Sequence, residues 1–277
     1  MTPPLLDVRN ATLTFAGVTA LNDVSFHVDP GELLAIIGPN GAGKTSIFNC
    51  LNGIYEPQQG EITYKGENII GTKPYRLAEN GIARTFQNIE LFGAMTVLNN
   101  LMLGRHHVMT TSWFAGALWI GKARQEEYVN RRRVEEIIDF LEIEQYRHFP
   151  VALLPYGIQK RVELGRAMAT DPELLLLDEP VAGMNLEETE DMARFILDVK
   201  RELGIAMILV EHDMSFVMDI ADRVVVLDFG VNIATGLPAE IQTDPEVIRA
   251  YLGEDLEGET SATKQASASE PSGDASA

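Results

Sequence analysis

Eight consecutive residues, Gly38-Pro39-Asn40-Gly41-Ala42-Gly43-Lys44-Thr45, carry the pattern G-x-x-x-x-G-K-[ST] at every constrained position. The chemistry such an octet supports is the holding of a triphosphate. Its glycines let consecutive backbone N–H groups point inward at the phosphates. The Lys44 ammonium reaches the β- and γ-phosphates, and the Thr45 hydroxyl is a ligand for Mg²⁺. A short apolar run, Glu32 to Ile37, precedes the octet and reads as a buried strand. Ser46-Ile47-Phe48-Asn49-Cys50-Leu51 follows it as a helix whose N-terminus faces the anion. Gly38 through Ser46 are therefore the expected nucleotide contacts.

Four further groups stand in a fixed order downstream. Gln87, in Arg84-Thr85-Phe86-Gln87-Asn88, follows an apolar segment and offers an amide oxygen to Mg²⁺ or to an attacking water. Leu154 to Leu164 contains Pro155-Tyr156-Gly157-Ile158-Gln159, a tight turn opening an amphipathic helix. Leu174 to Leu177 reads as a central strand buried on both faces, and it ends in Asp178-Glu179. Two adjacent carboxylates at the C-terminal end of such a strand are costly without a ligand. Asp178 is expected to hold Mg²⁺ and Glu179 to act as general base toward water. The last is His212, at the end of the apolar run Ile208 to Val210, where it is placed to donate to the γ-phosphate and orient water. The expected metal ligands are thus Thr45, Gln87 and Asp178, and the expected catalytic pair is Glu179 and His212.

These groups need a scaffold that brings distant stretches together. Strands alternating with helices over 171–235 predict a parallel, doubly wound sheet. An antiparallel portion is expected from Leu5–Thr14, Val24–Val28 and Glu61–Tyr64. Residues 88–165 read as helix-rich, and Val134, Ile137, Ile138 and Leu141 share one face of the clearest amphipathic run. Val224–Leu227 with the Phe229-Gly230 turn predicts a closing hairpin, followed by a short helix around Pro245–Leu252. No internal repeat is visible, so one nucleotide-binding domain is expected over 1–253. Residues 254–277 are acidic and rich in Ser and Ala, with little to bury, and are expected to be disordered.

Composition excludes several classes. The net charge of −19 over 277 residues argues against nucleic acid as a partner, because phosphate contacts demand a basic surface. No apolar stretch approaches the ~18 residues that span a bilayer. The N-terminus lacks the basic-then-apolar pattern of a secretory signal. A role at a membrane must therefore come through partners. The single cysteine, Cys50, fits a reducing compartment and reads as packing.

The order of phosphate loop, glutamine, turn-plus-helix, Asp-Glu strand and strand-end histidine resembles the ATP-binding subunits of ABC transporters, over about residues 5–253. Ala83 to Gln87, Pro155 to Arg161, and Glu211-His212-Asp213-Met214 with Ile248 to Gly253 are similar to the Liv-type subunits of branched-chain amino acid importers. The resemblance implies an α/β fold with a P-loop NTPase (RecA-like) core, an antiparallel β subdomain and a helical subdomain of about 88–165. It implies ATP and Mg²⁺ as ligands and Phe15 as the aromatic that stacks on adenine. Pro155, Tyr156, Gly157, Ile158 and Gln159 would be the signature that closes on ATP held by a second ATP-binding subunit, a related heterologous chain. Val181 to Asn185 would be the loop that communicates across that interface.

The further partners it implies are two membrane permease subunits and, indirectly, a solute-binding protein. The place implied is the cytoplasmic face of the membrane. Leu91-Phe92, Trp113-Phe114 and Trp119 would line the groove that receives the permease. A lipopolysaccharide-extracting ABC ATPase and a nucleotide-dependent scaffold without turnover are the alternatives. The sequence departs from the common signature at Pro155 and Ile158, where serine and glutamine are usual, and at Asn185, where aspartate is usual. Pro155 removes a γ-phosphate donor, and we expect a weakened composite site in consequence.

Overall fold

The computed structural model describes residues 3–85, 90–106 and 122–251. In chain order it contains β1 (Leu6–Phe15), β2 (Val18–Val28), β3 (Leu33–Ile37), α1 (Lys44–Leu51), β4 (Gln59–Tyr64), β5 (Glu67–Asn68), α2 (Pro74–Glu79) and β6 (Ile82–Arg84). There follow α3 (Val97–Gly104), α4 (Lys122–Phe140), α5 (Tyr156–Met168), β7 (Leu174–Asp178), α6 (Leu186–Leu203), β8 (Ala206–Val210), α7 (Met214–Ile220), β9 (Arg223–Asp228), β10 (Val231–Gly236) and α8 (Pro238–Ile241). A last helix, α9, covers 245–251.

Two sheets organise these elements. β2-β1-β4-β5 is antiparallel, and β10-β9-β3-β8-β7-β6 is parallel except for the β9–β10 hairpin at its edge. The alternation of side chains along a strand divides the core in two. Leu33, Ala35 and Ile37 of β3, with Leu175 and Leu177 of β7, pack on the layer containing α3, α4, α5 and α6. Leu34, Ile36, Leu174 and Leu176 face the other way, onto α1 and the antiparallel sheet. A strand covered on both faces must be apolar at every position, which is why the four leucines form an unbroken run.

The expected α/β architecture is present, with differences at element ends. β2 begins at Val18, well before the expected Val24, because Ala16 (φ 45°) and Gly17 (φ 90°) form a two-residue turn pairing Phe15 with Val18. Positive φ at both central residues matches the strand twist, so the hairpin extends outward through Val18 to Asp23, where Leu21 alone is buried and no apolar alternation marks a strand. α1 begins at Lys44, two residues earlier than expected. The β3 strand lies in the middle of the parallel sheet between β9 and β8.

The helix-rich stretch is held by the predicted face of α4. Val134, Ile137, Ile138 and Leu141 are all buried against α3 and α5, each contributing about 1.5–3 kcal/mol on burial. Arg105, buried just after α3, ties this layer together. It donates to Asn130 of α4, to the Ala169 carbonyl and to Asp171, which also receives Arg133. Among the described residues, no helix is long and apolar enough to cross a membrane. The acidic segment 254–277 lies outside the described residues.

Candidate nucleotide site

The parallel sheet delivers its candidate residues to one edge. β3, β8, β7 and β6 are neighbours, and registers Ile36↔Val210 and Asp178↔Val210 bring the ends of three strands level. The loop Gly38 to Gly43 leaves β3, Glu211-His212 leaves β8, and Asp178-Glu179 ends β7. Ligands of open α/β sheets bind at this carboxyl edge, where the strand order reverses.

The loop needs glycine at two positions. Gly38 has φ +150°, and a Cβ there would lie 2.0 Å from the Leu227 carbonyl oxygen. Gly43 has φ +103°, and a Cβ would lie 2.7 Å from the Ala20 carbonyl oxygen. Only a residue without a side chain lets the loop fold against β9 and β2. The turn after β9 also clasps the loop, with Gly230 N–H donating to the Ala42 carbonyl at 2.9 Å. Lys44 is buried, and its ammonium donates to the Gly38 and Pro39 carbonyls at 2.5 and 2.9 Å. Pro39 is buried, Asn40, Gly41 and Thr45 are exposed, and Ser46 is half-buried in the first turn of α1.

Asp178 is paired with a residue that sequence reasoning missed. Arg84, at the end of β6, donates to its carboxylate at 2.6 Å and to Asn49 of α1 at 2.8 Å. The Asp178 N–H donates to the Thr85 hydroxyl. Arg84 shares the stretch Arg84 to Asn88 with Gln87, and only the β6–β7 pairing puts it beside the strand-end aspartate. Gln87 lies outside the described residues. Thr45 and Asp178 supply hard oxygen donors of the kind Mg²⁺ takes.

Glu179 is half-buried and has φ +46°, a conformation that costs a non-glycine residue of order 1–3 kcal/mol. Its N–H donates to the Val210 carbonyl at 2.9 Å, which ties the strained turn to β8. His212 is exposed, its imidazole 63% accessible, and its Nδ1 is 3.6 Å from Glu211. Glu211 is fully buried. Burial pushes its carboxyl above the ordinary carboxylate range, and Glu179 adds to that. The backbone N–H groups of Val181 and His212 and the His212 ring act in the opposite direction.

Phe15 is 42% exposed at the end of β1, with its ring edge-to-face on Tyr55 at 4.9 Å. Its exposed surface leaves it available for stacking.

The predicted signature opens α5. Pro155 is the N-cap residue and no side chain caps the helix. Tyr156 donates from its hydroxyl to the Ala182 carbonyl at 3.0 Å. Burial raises the Tyr156 phenol, with Glu163 and Glu188 adding to it. Gly157 N–H donates at 3.2 Å to Glu188. Ile158 packs against the core, and Gln159 donates to the Leu154 carbonyl at 2.8 Å. The first turn of α5 therefore already has a carboxylate at its N-terminus. Glu188 also closes a capping box with Asn185, at 3.1 and 3.0 Å, so Asn185 caps α6. The pattern Asn185-x-x-Glu188 was the unread signal for this contact.

In the helical layer Leu91 packs on the core while Phe92 is 56% exposed. Met95, Phe149 and Leu153 are also exposed. Trp113, Phe114 and Trp119 lie outside the described residues.

Comparison with known proteins places this arrangement. The ABC transporter family pattern matches residues 21–182, and that of branched-chain amino acid ATP-binding cassette transporters matches 231–257. The chain is 39% identical over 254 residues, 92% of this chain and 100% of the relative, to the high-affinity branched-chain amino acid transport ATP-binding protein BraF of Pseudomonas aeruginosa. Identity and coverage are the same for LivG of Escherichia coli. A solved ATP-binding cassette of an ABC transporter in its ADP conformation is 30% identical, with TM-score 0.80, covering 91% of this chain and 100% of that one. A nucleotide-free cassette is 29% identical with TM-score 0.78, covering 90% and 99%. The chain belongs to the ABC transporter family and is a nucleotide-binding transport ATPase of the branch that holds BraF and LivG.

Proposed function

We propose that this chain powers an importer of branched-chain or related amino acids at the cytoplasmic face of a membrane. The observation that carries the reading is the meeting of the Gly38–Thr45 loop, Asp178-Glu179 and His212 at one edge of the parallel sheet, in a chain 39% identical to BraF and LivG along nearly its whole length.

In the proposed cycle the loop amides and Lys44 bind the phosphates of ATP, and Phe15 stacks on the base. Thr45, Asp178 and Gln87 would hold Mg²⁺, which would supply positive charge against that developing on the transferring phosphoryl group. Lys44 must turn from the Gly38 and Pro39 carbonyls toward the phosphates. Glu179 accepts the proton of the attacking water, and His212 donates to the γ-phosphate. Tyr156 and Gly157 meet the nucleotide of a second ATP-binding subunit, so Glu188 must yield the Gly157 N–H or share it.

Two permease subunits dock on the helical layer, where Phe92, Met95, Phe149 and Leu153 offer exposed apolar surface. A solute-binding protein delivers the amino acid from the other side. Residues 1–253 form the nucleotide-binding domain with its helical subdomain over about 88–165, and 254–277 is a solubilising extension.

The test is uptake of labelled leucine, isoleucine and valine in the source cell lacking this chain. Wild type should restore uptake and Glu179→Gln should not. Normal uptake without the chain would overturn the reading.

A further inference from the structure

Glu211 has no part in the cycle above, yet its carboxylate is fully buried at this edge of the sheet. The two loops that carry the proposed chemistry both end on it. One carboxylate oxygen accepts the Val181 N–H at 3.1 Å. Val181 opens the loop Val181 to Asn185 and is two residues beyond Glu179. The other oxygen accepts the His212 N–H at 3.1 Å and lies 3.6 Å from the His212 ring.

We propose that Glu211 is a positioning residue that holds His212 and the loop behind Glu179 in one register, so that base and histidine face the same phosphate. The proposal rests on the roles assigned above to Glu179 and His212. The neighbouring contacts extend the same link. The loop that Glu211 grips at Val181 is also held by Tyr156 at Ala182, so the signature turn, the loop and His212 form one hydrogen-bonded chain. A buried charge is costly unless its lone pairs are used, and here both oxygens accept a backbone N–H. Glutamine has the same shape but one acceptor oxygen. Its NH₂ would face one of the two N–H groups, so Glu211→Gln releases one loop while preserving packing.

The experiment is steady-state ATPase of the full chain with ATP and Mg²⁺ for wild type, Glu211→Gln, His212→Ala and the double variant, with nucleotide affinity and melting temperature measured alongside. Coupled residues give non-multiplicative losses, so Glu211→Gln is expected to lower kcat about 10- to 100-fold alone and no more than about threefold in the His212→Ala background. KM and ATP affinity should stay within about threefold of wild type. Multiplicative losses, a wild-type kcat for Glu211→Gln, or a loss confined to KM would each overturn the proposal. If Glu211→Gln does not fold, Glu211→Asp keeps the charge but shortens the reach. It should show the same kcat-only loss, and a full rate would overturn the proposal. A wild-type rate for His212→Ala would overturn the role of His212 as well. Loss in His212→Ala with full rate in Glu211→Gln would overturn this inference alone.

Discussion

Arg84 and Asp178 form an ion pair 2.6 Å long, with side chains only 9% and 6% exposed. The carboxylate proposed as a Mg²⁺ ligand therefore already has a counter-charge from the neighbouring strand. Removing that partner leaves a buried charge alone, which costs about 3 kcal/mol. Arg84→Gln is expected to lower the melting temperature markedly without nucleotide. Mg²⁺-ATP should then recover more stability in the variant than in wild type, because the metal replaces the lost cation. Equal ligand-induced shifts in thermal unfolding would count against Asp178 as a metal ligand.

Lys44 holds its own loop closed through the Gly38 and Pro39 carbonyls. Charged hydrogen bonds are worth roughly 1.5–3 kcal/mol, so Lys44→Ala should weaken ATP binding about 10- to 100-fold. Calorimetric titration reads this directly. Unchanged affinity would remove Lys44 from the phosphate contacts.

Pro155 stands at the N-cap of α5 without a capping side chain. Serine there accepts a backbone N–H of the first turn, and such caps contribute about 1 kcal/mol. Pro155→Ser is expected to raise the melting temperature by a few degrees and to raise ATPase in the assembled transporter. A stabilised variant with unchanged turnover would confine Pro155 to a structural role.

Asp171 joins the helical layer through Arg105 and Arg133. Burial pushes its carboxyl up, but the hydrogen bonds and charges of the two arginines outweigh it and hold the group below its ordinary value. A lowered carboxylate contributes stability that is complete above its unfolded value and is lost as pH falls through the folded one. Asp171→Asn is expected to cost about 1–2 kcal/mol at neutral pH. The gap from wild type should narrow as pH falls below about 4. A gap independent of pH in denaturant titrations would refute the linkage.

Much of the architecture was legible because its elements carry strong local signals. The leucine run of β7, the glycines of the phosphate loop and the apolar face of α4 each announce their environment by residue type and spacing. The outer half of β2 did not, since Leu21 is the one buried residue among 18–23 and no apolar alternation marks that stretch as a strand. The start of α1 was misplaced by two residues because Lys44 and Thr45 read as loop chemistry while already helical.

The sequence by itself determined the chemical inventory of this ATPase. A loop that must approach phosphate closely needs glycine, a strand buried on both faces needs unbroken apolar residues, and both constraints are local. The tertiary structure alone decided the pairings among the charged groups. Arg84 meets Asp178 across 94 positions, Glu188 meets Gly157 across 31, and Glu211 meets Val181 across 30. Those separations collapse only when the strands align in one sheet and the helices pack on it, and no periodicity along the chain encodes which carboxylate will find which donor.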